Sequence, residues 1–510
     1  MPVSEKILIG LTATKEEDFM EWYRQSIIKS DMTDYTDISG CYVLRPLSYG
    51  MWEKIQKYVD AEIKKMGVEN AYFPLFVSKK ALETEKSHIE GFSPEVAWVT
   101  KAGDSNLSEP LAIRPTSETS MYPIIKNWIK SYRDLPLKIN QWCNVVRWEF
   151  KDPLFFIRSR EFLWSETHTC HNTKEEADAE VLQSLDLYAD VYQKLLAVPV
   201  IQGRKSVGEK FAGADYTTTI ECYIPTVGKA VQGATSHCLG QNFSKMFDIY
   251  VEDNQGNKKN VYQNSWGITT RTIGVMVMVH GDNRGLVIPP SIAPLHVIIV
   301  ACGITSKTSE DDADKVKNAC DKINTTLNDN GITCKIDSRT NYSVGHKFNY
   351  WELRGVPIRI ETGPKDIKND NLCIVRRDTG QKINFSKPTE TLFLEFIRSV
   401  LEEIQKDMYK KAVEERNTHI KICNNTDSLS KEIGNRNICL ATWCEEVKCE
   451  EDIVAYCKSR NLGAKSLCIP FNQMLAAELS GNKSNVITED SKCFNCSGKA
   501  KSYALFGSSF

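Results

Sequence analysis

The stretch from residue 144 to 171 gathers side chains that can grip phosphate, stack on a flat ring and hold a cation. Arg147 and Glu149 stand two residues apart, a Lys151-Asp152-Pro153 turn follows, and the chain returns through 157–168. Side chains alternate along an extended strand, so Arg158, Arg160, Phe162, Trp164, Glu166 and His168 are expected on one face. A core face seldom holds two arginines, and a solvated face seldom spends Phe and Trp this way. A binding surface uses all six. Arginine presents a planar fork to phosphate, and Phe can stack on a base with an Arg plane covering the far side. The other reading is a polar hairpin with a snorkelling aromatic pair. A second constellation lies near the end of the chain, where Cys444-x4-Cys449 and Cys493-x2-Cys496 form two thiol pairs. Four thiolates suit a closed, tetrahedral, structural zinc site. Cys439, Cys457 and Cys468 compete for ligand roles, and buried free thiols are the alternative.

These groups need elements to position them. Leu44, Leu47, Met51, Ile55, Val59, Ile63 and Met66 recur every three or four residues, which predicts an amphipathic helix that Gly67 ends. An apolar strand over 71–77 follows. Pro74 within it removes a ladder donor and predicts an edge or a subunit boundary. Pro289-Pro290, with Pro294 beyond, reads as a linker. After it, strand-like and helix-like segments alternate: 296–301, 313–327, 332–336, 344–354, 358–361 and 372–375. That order implies a mixed sheet with helices packed on it. A polar turn, Gly363-Pro364-Lys365-Asp366, punctuates it. A long helix from 391 to about 416 carries Glu402, Glu403, Lys406, Lys410, Lys411, Glu414 and Glu415 on a solvated face.

Composition bounds the function classes. The chain has 510 residues, enough for about three domains at ~100–200 residues each. Lys+Arg at 64 and Asp+Glu at 66 nearly cancel, which argues against a wholly basic nucleic-acid coat and against an acidic disordered chain. A local basic patch would still suffice for an RNA partner. No apolar run approaches the ~18 residues of a membrane span. The first residues lack a secretory pattern, so a cytosolic location is expected. Eight of the 17 cysteines fall in 423–510, and in a chain with no secretory pattern this crowding favours a metal over disulfides.

Arg147-x-Glu149, a loop and Arg158-x3-Phe162 resemble motif 2 of the class II aminoacyl-tRNA synthetases. The long helix plus the Pro74 strand resembles motif 1, which builds the dimer interface in that class. Gly267-Ile268-Thr269-Thr270-Arg271, followed by an apolar helical run over 273–279, resembles motif 3. Within the class, four runs resemble the prolyl-tRNA synthetase family of the eukaryotic and archaeal kind. They are Arg114-Pro115-Thr116-Ser117-Glu118, 162–168, Lys210-Phe211-Ala212-Gly213-Ala214-Asp215 and Thr235-Ser236-His237. The resemblance covers essentially the whole chain, with Gly363-Pro364-Lys365-Asp366 and Leu505-Phe506-Gly507 included.

The resemblance implies an α+β class II catalytic domain, an antiparallel sheet flanked by helices, over 1–288. An α/β class IIa anticodon-binding domain over 289–400 and a small α/β zinc-binding domain over 401–510 follow. It implies ATP, Mg²⁺ and a structural Zn²⁺ as cofactors, L-proline and tRNA(Pro) as substrates, a homodimer, and no membrane partner. By the same resemblance Arg147 holds the α-phosphate beside the amino-acid carboxylate, and Glu149 accepts from the adenine amino group. Arg158 and Arg271 clamp the outer phosphates, Phe162 stacks on adenine, and Gln232, Thr235 and Thr269 line the nucleotide and its metal. For the amino acid, Thr116 and Glu118 supply acceptors to the ammonium and Trp164, Phe211 and His237 form the wall. Glu166 and His168 close the pocket, and Ser265 and Gly267 complete it. Thr116 as a plain turn residue and His237 as a satisfied core histidine are the bland alternatives. Glu352, Arg359, Lys365 and Asp366 are implied to read anticodon bases, against a simple pairing of Arg359 with Glu361. Cys444, Cys449, Cys493 and Cys496 are implied as the zinc ligands. Only about 96 residues separate His168 from Ser265, so an editing insertion is not expected there and alanine should be misactivated. The family's terminal aromatic is commonly Tyr; Phe510 stands here, leaving a carboxylate but no phenol. A synthetase-like regulator that charges no tRNA, and an enzyme for Thr or Ser, are the rival readings.

Overall fold

The computed structural model describes residues 10–88, 95–148, 152–252, 255–305, 307–386 and 389–510. Among these, an eleven-stranded sheet forms the spine of the molecule. Its catalytic half runs, in spatial order, through Ile201–Arg204, Tyr216–Ile224, Lys229–Gly240, Tyr262–Thr269, Glu161–His171, Leu137–Val146 and Glu69–Asn70. All these pairings are antiparallel except the last. One face is covered by the helices Pro46–Lys65, Lys174–Asp190 and Arg271–His280. Met51, Trp52, Ile55, Val59 and Ile63 recur on the first of these and are fully buried in the largest core. Its Pro46 occupies the first turn, where a missing N–H costs nothing. Gly67 takes a positive φ of 78° just beyond the end.

Of the expected 71–77 strand only the last two residues are strand, and two short strands flank the rest. Glu69–Asn70 pairs with Leu137–Val146 at the sheet edge, and Phe76–Ser78 joins a separate three-stranded sheet. Pro74 lies between them, where the chain changes partner and no ladder donor is required. The face expected to carry six residues also needs correction. Only Phe162, Trp164, Glu166 and His168 belong to the strand Glu161–His171. Arg158 closes a tight turn back onto Leu154, and Arg160 lies over the Trp148 ring at 4.6 Å while donating to the carbonyl of Ser39.

Beyond Arg271–His280 the diproline is no loose linker: Leu286, Ile288, Ile292 and Ala293 pack into the catalytic core. A five-stranded mixed sheet follows, ordered Cys334–Ile336, Val297–Ala301, Ile358–Thr362, Asn371–Arg376 and Lys382–Ser386. The polar turn at 363 is a short helix, Pro364–Lys368, with the Asp366 carboxylate accepting from the amide of Gly363. The helix Glu390–Thr418 crosses the expected division at 400. Phe393, Ile397, Val400, Ile404 and Met408 all face the core of this sheet, so the helix belongs to the second domain over most of its length. Its charged face is solvated as expected.

The C-terminal strands Ile420–Ile422, Ile438–Trp443, Ser502–Ser509 and Ala464–Pro470 extend the catalytic sheet instead of forming a detached one. The join is Ile469–Arg204 and Pro470–Gly203. A Cβ at Gly203 would collide with the carbonyl of Ile469, so the close approach requires glycine. The terminal strand also meets Lys229–Gly240 in parallel. The Phe510 amide donates to the carbonyl of Ala230 at 3.1 Å, and Lys229 lies over the Phe510 ring.

Candidate active site

A cavity of about 290 Å³ opens on the face of the catalytic sheet opposite its helices. Four neighbouring strands furnish its floor: Phe162 and Trp164 from one, Gly267 and Thr269 from the next, Gln232, Thr235 and His237 from the third, and Thr217 from the fourth. Cross-strand register sets Thr269 beside Trp164 and Gly267 beside both Glu166 and Thr235. A Cβ on Gly267 would meet the Ser165 carbonyl at 2.9 Å and the Trp164 ring at 3.6 Å, so glycine lets that ring lie flat across the floor.

Arg147 leaves the end of Leu137–Val146 and turns over both rings, 5.6 Å from Phe162 and 5.5 Å from Trp164. Its Nε donates to the carbonyl of Pro115 at 2.9 Å, which fixes the guanidinium plane at the centre of the cavity. Arg271 opens the helix Arg271–His280 and donates to the carbonyls of Gln232 at 3.1 Å and Ile157 at 3.3 Å. Burial depresses its pKa, and the charges of Arg147 and Arg158 add to that. Cations crowded at a helix N-terminus in this way are poised for an anion. Arg158 itself is exposed and does not line the cavity. Glu149 lies outside the described residues.

The other end is acidic and enclosed. Thr116 donates to Glu118 at 2.5 Å, and Glu118 lines the cavity although only 2% exposed. Glu166 accepts from the Ser117 amide at 2.9 Å, from the Ser117 hydroxyl, and from His168 Nε2 at 3.0 Å. His168 Nδ1 pairs with the Tyr122 hydroxyl at 2.8 Å. Burial pushes Glu118 up from the ordinary carboxylate range. Burial pushes Glu166 up too, but His168 and Ser117 outweigh it and hold the carboxyl below that range. His168 is held above its ordinary value by Glu166 against the effect of burial. Two carboxyls and one imidazole thus share this end, their ligating atoms within 4.8 Å of one another. His237 is the reverse. Burial, and then the charges of His168 and Arg147, bring it to about 3, so it is neutral. It bridges the Thr217 and Thr235 hydroxyls at 2.9 and 3.0 Å and packs at 4.8 Å against Phe211.

Twelve expected residues therefore converge on one cavity: Thr116, Glu118, Arg147, Phe162, Trp164, Phe211, Gln232, Thr235, His237, Gly267, Thr269 and Arg271. Glu166, His168 and Ser265 do not line it. The resemblance has them closing and completing the pocket; instead they are buried in the sheet, Glu166 covered by Ser117 and His168 by Tyr122, the N-cap and second turn of the helix Glu118–Trp128. Sequence reasoning passed over Glu209 and Thr217, which do line it. Glu209 sits beside the quoted Lys210-Phe211 run, but its spacing alone carried no signal.

In the second domain the four expected RNA-reading residues are split. Glu352 accepts from Arg284 at 2.7 Å, and Arg359 pairs with Glu361 at 2.8 Å while lying 4.0 Å over Phe348. Lys365 and Asp366 lie on the short helix Pro364–Lys368. In the third domain, the sulfurs of Cys444, Cys449, Cys493 and Cys496 all lie within 4.8 Å of one another. Cys449–Cys493 and Cys444–Cys496 are separated by 3.7 and 3.6 Å. A tetrahedron with ~2.3 Å zinc–sulfur bonds has an edge of about 3.8 Å, so the donor set fits zinc. The competitors are elsewhere: Cys439 donates to the Leu429 carbonyl, and Cys457 and Cys468 are buried in packing.

Family models match three successive segments: "tRNA synthetase class II core domain (G, H, P, S and T)" over 98–280, "Anticodon binding domain" over 296–403 and "Prolyl-tRNA synthetase, C-terminal" over 426–510. The chain is 48% identical over 508 residues to "Proline--tRNA ligase, cytoplasmic" of Arabidopsis thaliana, covering 100% of this chain and 92% of that protein. The chain belongs to the prolyl-tRNA synthetase family. It is 51% identical over 512 residues to "Bifunctional glutamate/proline--tRNA ligase" of Mus musculus, but spans only 33% of that protein against 98% of itself. Among solved structures, the prolyl-tRNA synthetase of Cryptosporidium parvum complexed with halofuginone and AMPPNP superposes with a TM-score of 0.93 at 49% identity, covering 99% of this chain and 100% of that one. The Cryptosporidium parvum enzyme complexed with L-proline and AMP gives 0.91 at 48% identity, covering 99% of this chain and 97% of that one. As a family member the chain has the class II synthetase core, with no helix among the described residues long and apolar enough to cross a membrane.

Proposed function

We propose that this chain activates L-proline with ATP to prolyl-adenylate and transfers the prolyl group to the 3′ end of tRNA(Pro). One observation carries the reading: a single cavity joins an acidic, enclosed end to a cationic, aromatic end, with Arg147 between them. A secondary ammonium fits the carboxyl-bearing end at Glu118, and the apolar ring fits between Trp164, Phe211 and neutral His237. Phe162 and the Arg147 plane offer a stacking site for adenine. Glu149 is assigned the adenine amino group on the family pattern.

The proline carboxylate is already a nucleophile, so the first step needs alignment and charge neutralisation more than a protein base. Arg147 spans the carboxylate and the α-phosphate, and draws them together. Arg271 holds the outer phosphates at the helix N-terminus, and Arg158 is assigned to them as well on the family pattern. Gln232, Thr235 and Thr269 line the nucleotide with neutral oxygens beside which Mg²⁺, when bound, supplies further neutralisation. Glu166, His168 and Ser265 act from behind by setting the charge and shape of the acidic end.

The domains are taken as 1–288, 289–400 and 401–510, with the catalytic core reaching past the diproline to Ala293 and the second core reaching along Glu390–Thr418 to Met408. Glu352, Arg359, Lys365 and Asp366 are assigned to anticodon bases, whose edges polar groups of this kind read in single-stranded loops. The four clustered cysteines are assigned to one structural zinc. Exposed Tyr72 and Phe76 flank Pro74 and support a dimer face there. A cytosolic site of action accords with the plant relative's printed name. Between His171 and Tyr262 the described chain forms Lys174–Asp190, three strands of the main sheet, the short helix Asn242–Met246 and a small hairpin of Tyr250–Glu252 with Lys258–Asn260, which supports the absence of an editing insertion.

Proline-dependent ATP–pyrophosphate exchange tests the reading, with alanine, cysteine, serine and threonine alongside. Strong exchange with proline and weaker exchange with alanine is expected, since one methylene discriminates by only ~1–3 kcal/mol. No exchange with any of them in folded protein would instead favour a regulator that charges no tRNA.

A further inference from the structure

Phe211 walls the cavity, yet the run that leads to it is gripped from the C-terminal domain. Arg204 donates to Glu445 at 2.8 Å. Lys205 is buried and donates to Glu221 and to the carbonyl of Leu467, each at 2.7 Å. Ser206 donates to Glu450 at 2.7 Å, and Glu209 pairs with Lys465. Glu450 is 6% exposed and also accepts from Ser466. It directly follows Cys449, and Glu445 directly follows Cys444. Both acids are thus anchored by the segment that bears two of the four clustered thiols.

From Ser206 the path to the cavity is short. The amides of Glu209 and Lys210 donate back to Ser206, at 3.2 Å to its hydroxyl and 3.0 Å to its carbonyl. The Phe211 amide donates to the Thr217 hydroxyl at 2.9 Å, and Thr217 in turn holds His237. A shift at Ser206 therefore moves two walls of the amino-acid end at once.

We propose that Glu450 of the C-terminal domain is a positioning residue for the amino-acid pocket, seating the 205–211 run that carries Phe211. This rests on the proline reading of the cavity. Removing the carboxylate leaves the buried Ser206 hydroxyl without its acceptor and Ser466 with only its contact to Ser206 Oγ at 3.3 Å, while the strand Ile201–Arg204 keeps its place in the sheet.

The full-length chain serves for the test. Glu450→Ala, Glu450→Gln and Ser206→Ala are compared with wild type by pyrophosphate exchange at varied proline and varied ATP, and by amide hydrogen exchange over 204–212. Glu450→Ala should raise KM for proline on the order of tenfold, the size of one hydrogen bond to a charged group. KM for ATP should hold within about twofold, and amide exchange should quicken over 205–211 alone. Glu450→Gln should recover most of the loss, because an amide both accepts from and donates to hydroxyls. Should Glu450→Ala fail to fold, Ser206→Ala decides, with a smaller rise in KM for proline and an unchanged melting temperature. Unchanged proline KM in both variants, or proline and ATP KM rising together with exchange quickened throughout, overturns the proposal. A wild type inactive with proline but with 205–211 still loosened by Glu450→Ala would sink the proline reading and leave the seating intact.

Discussion

Glu118→Gln isolates the charge that the acidic end holds for its ligand. The ligating atoms of Glu118, Glu166 and His168 lie within 4.8 Å of one another, and all three residues are buried. Glutamine keeps the shape and the Thr116 contact but removes the carboxylate that an ammonium would meet. Opposite unit charges about 3 Å apart attract by ~5 kcal/mol at an effective dielectric of ~20. The ammonium must shed water to enter, so ~2–4 kcal/mol of that is realised. kcat/KM for proline should fall ~30- to ~1000-fold. The assay is pyrophosphate exchange at saturating ATP with proline varied, followed by the converse. KM for ATP should stay put, since Arg147 and Arg271 are untouched. The sign for pH follows from the raised Glu118 pKa: the ionised form attracts the ammonium, so wild-type kcat/KM for proline drops as pH falls through a value above 4.5, and the variant loses that limb. A carboxyl raised by folding costs stability above its pKa, so the variant should melt no lower than wild type. Unchanged kcat/KM for proline, or a loss that falls on ATP instead, would refute the reasoning.

Arg147→Ala should abolish adenylate formation with the fold intact by circular dichroism, because one guanidinium spans both reacting groups; normal activation would displace it from the centre of the site. Metal analysis of purified protein should find about one zinc per chain, and Cys493→Ser should lower both zinc content and melting temperature; a folded, active protein without zinc would end that assignment. Acid should weaken the fold from pH 6.5 downward. Burial brings His237 to about 3 and both His280 and His296 to about 4, so the unfolded chain takes up protons that the folded one refuses. Each contributes up to ~1.4 kcal/mol per pH unit of loss below 6.5. Glu180 adds to this below 4.5: burial raises it, but His171 and Thr169 hold it down at about 2. His168 opposes the trend, since its stabilisation is complete below 6.5 and fades as pH rises through its raised value. Urea midpoints from pH 8 to 4.5 would show the slope, and a flat profile would refute neutral burial of these rings.

Helix 46–65 was readable because its apolar period is unbroken over five turns and ends at a glycine, features that depend on nearest neighbours along the chain. The strand expected over 71–77 was not, since Pro74 marks a ladder break but not which sheet each half joins. Arg158 and Arg160 show the limit of alternation: period two holds only where the backbone is extended, and the turn onto Leu154 resets it. Likewise the boundary at 400, implied by resemblance, cuts a helix whose apolar stripe from Phe393 to Met408 packs into the second core.

For the site, residue type carried most of the information. Arg147, Phe162, Trp164 and the four cysteines are side chains whose chemistry is costly or unusual enough to mark a purpose wherever they stand. Which of them touch the cavity was a matter of tertiary packing. Glu166 and His168 share a strand face with Trp164, but Ser117 and Tyr122 cover them, and so they tune charge from behind. The union of the C-terminal domain with the catalytic sheet through Gly203, and the grip of Glu450 on Ser206, join residues more than two hundred positions apart. Sequence by itself determined the chemistry available, because that resides in side chains and short spacings. Only the folded chain decided which groups are buried, paired and charged, because those depend on neighbours that sequence order does not name.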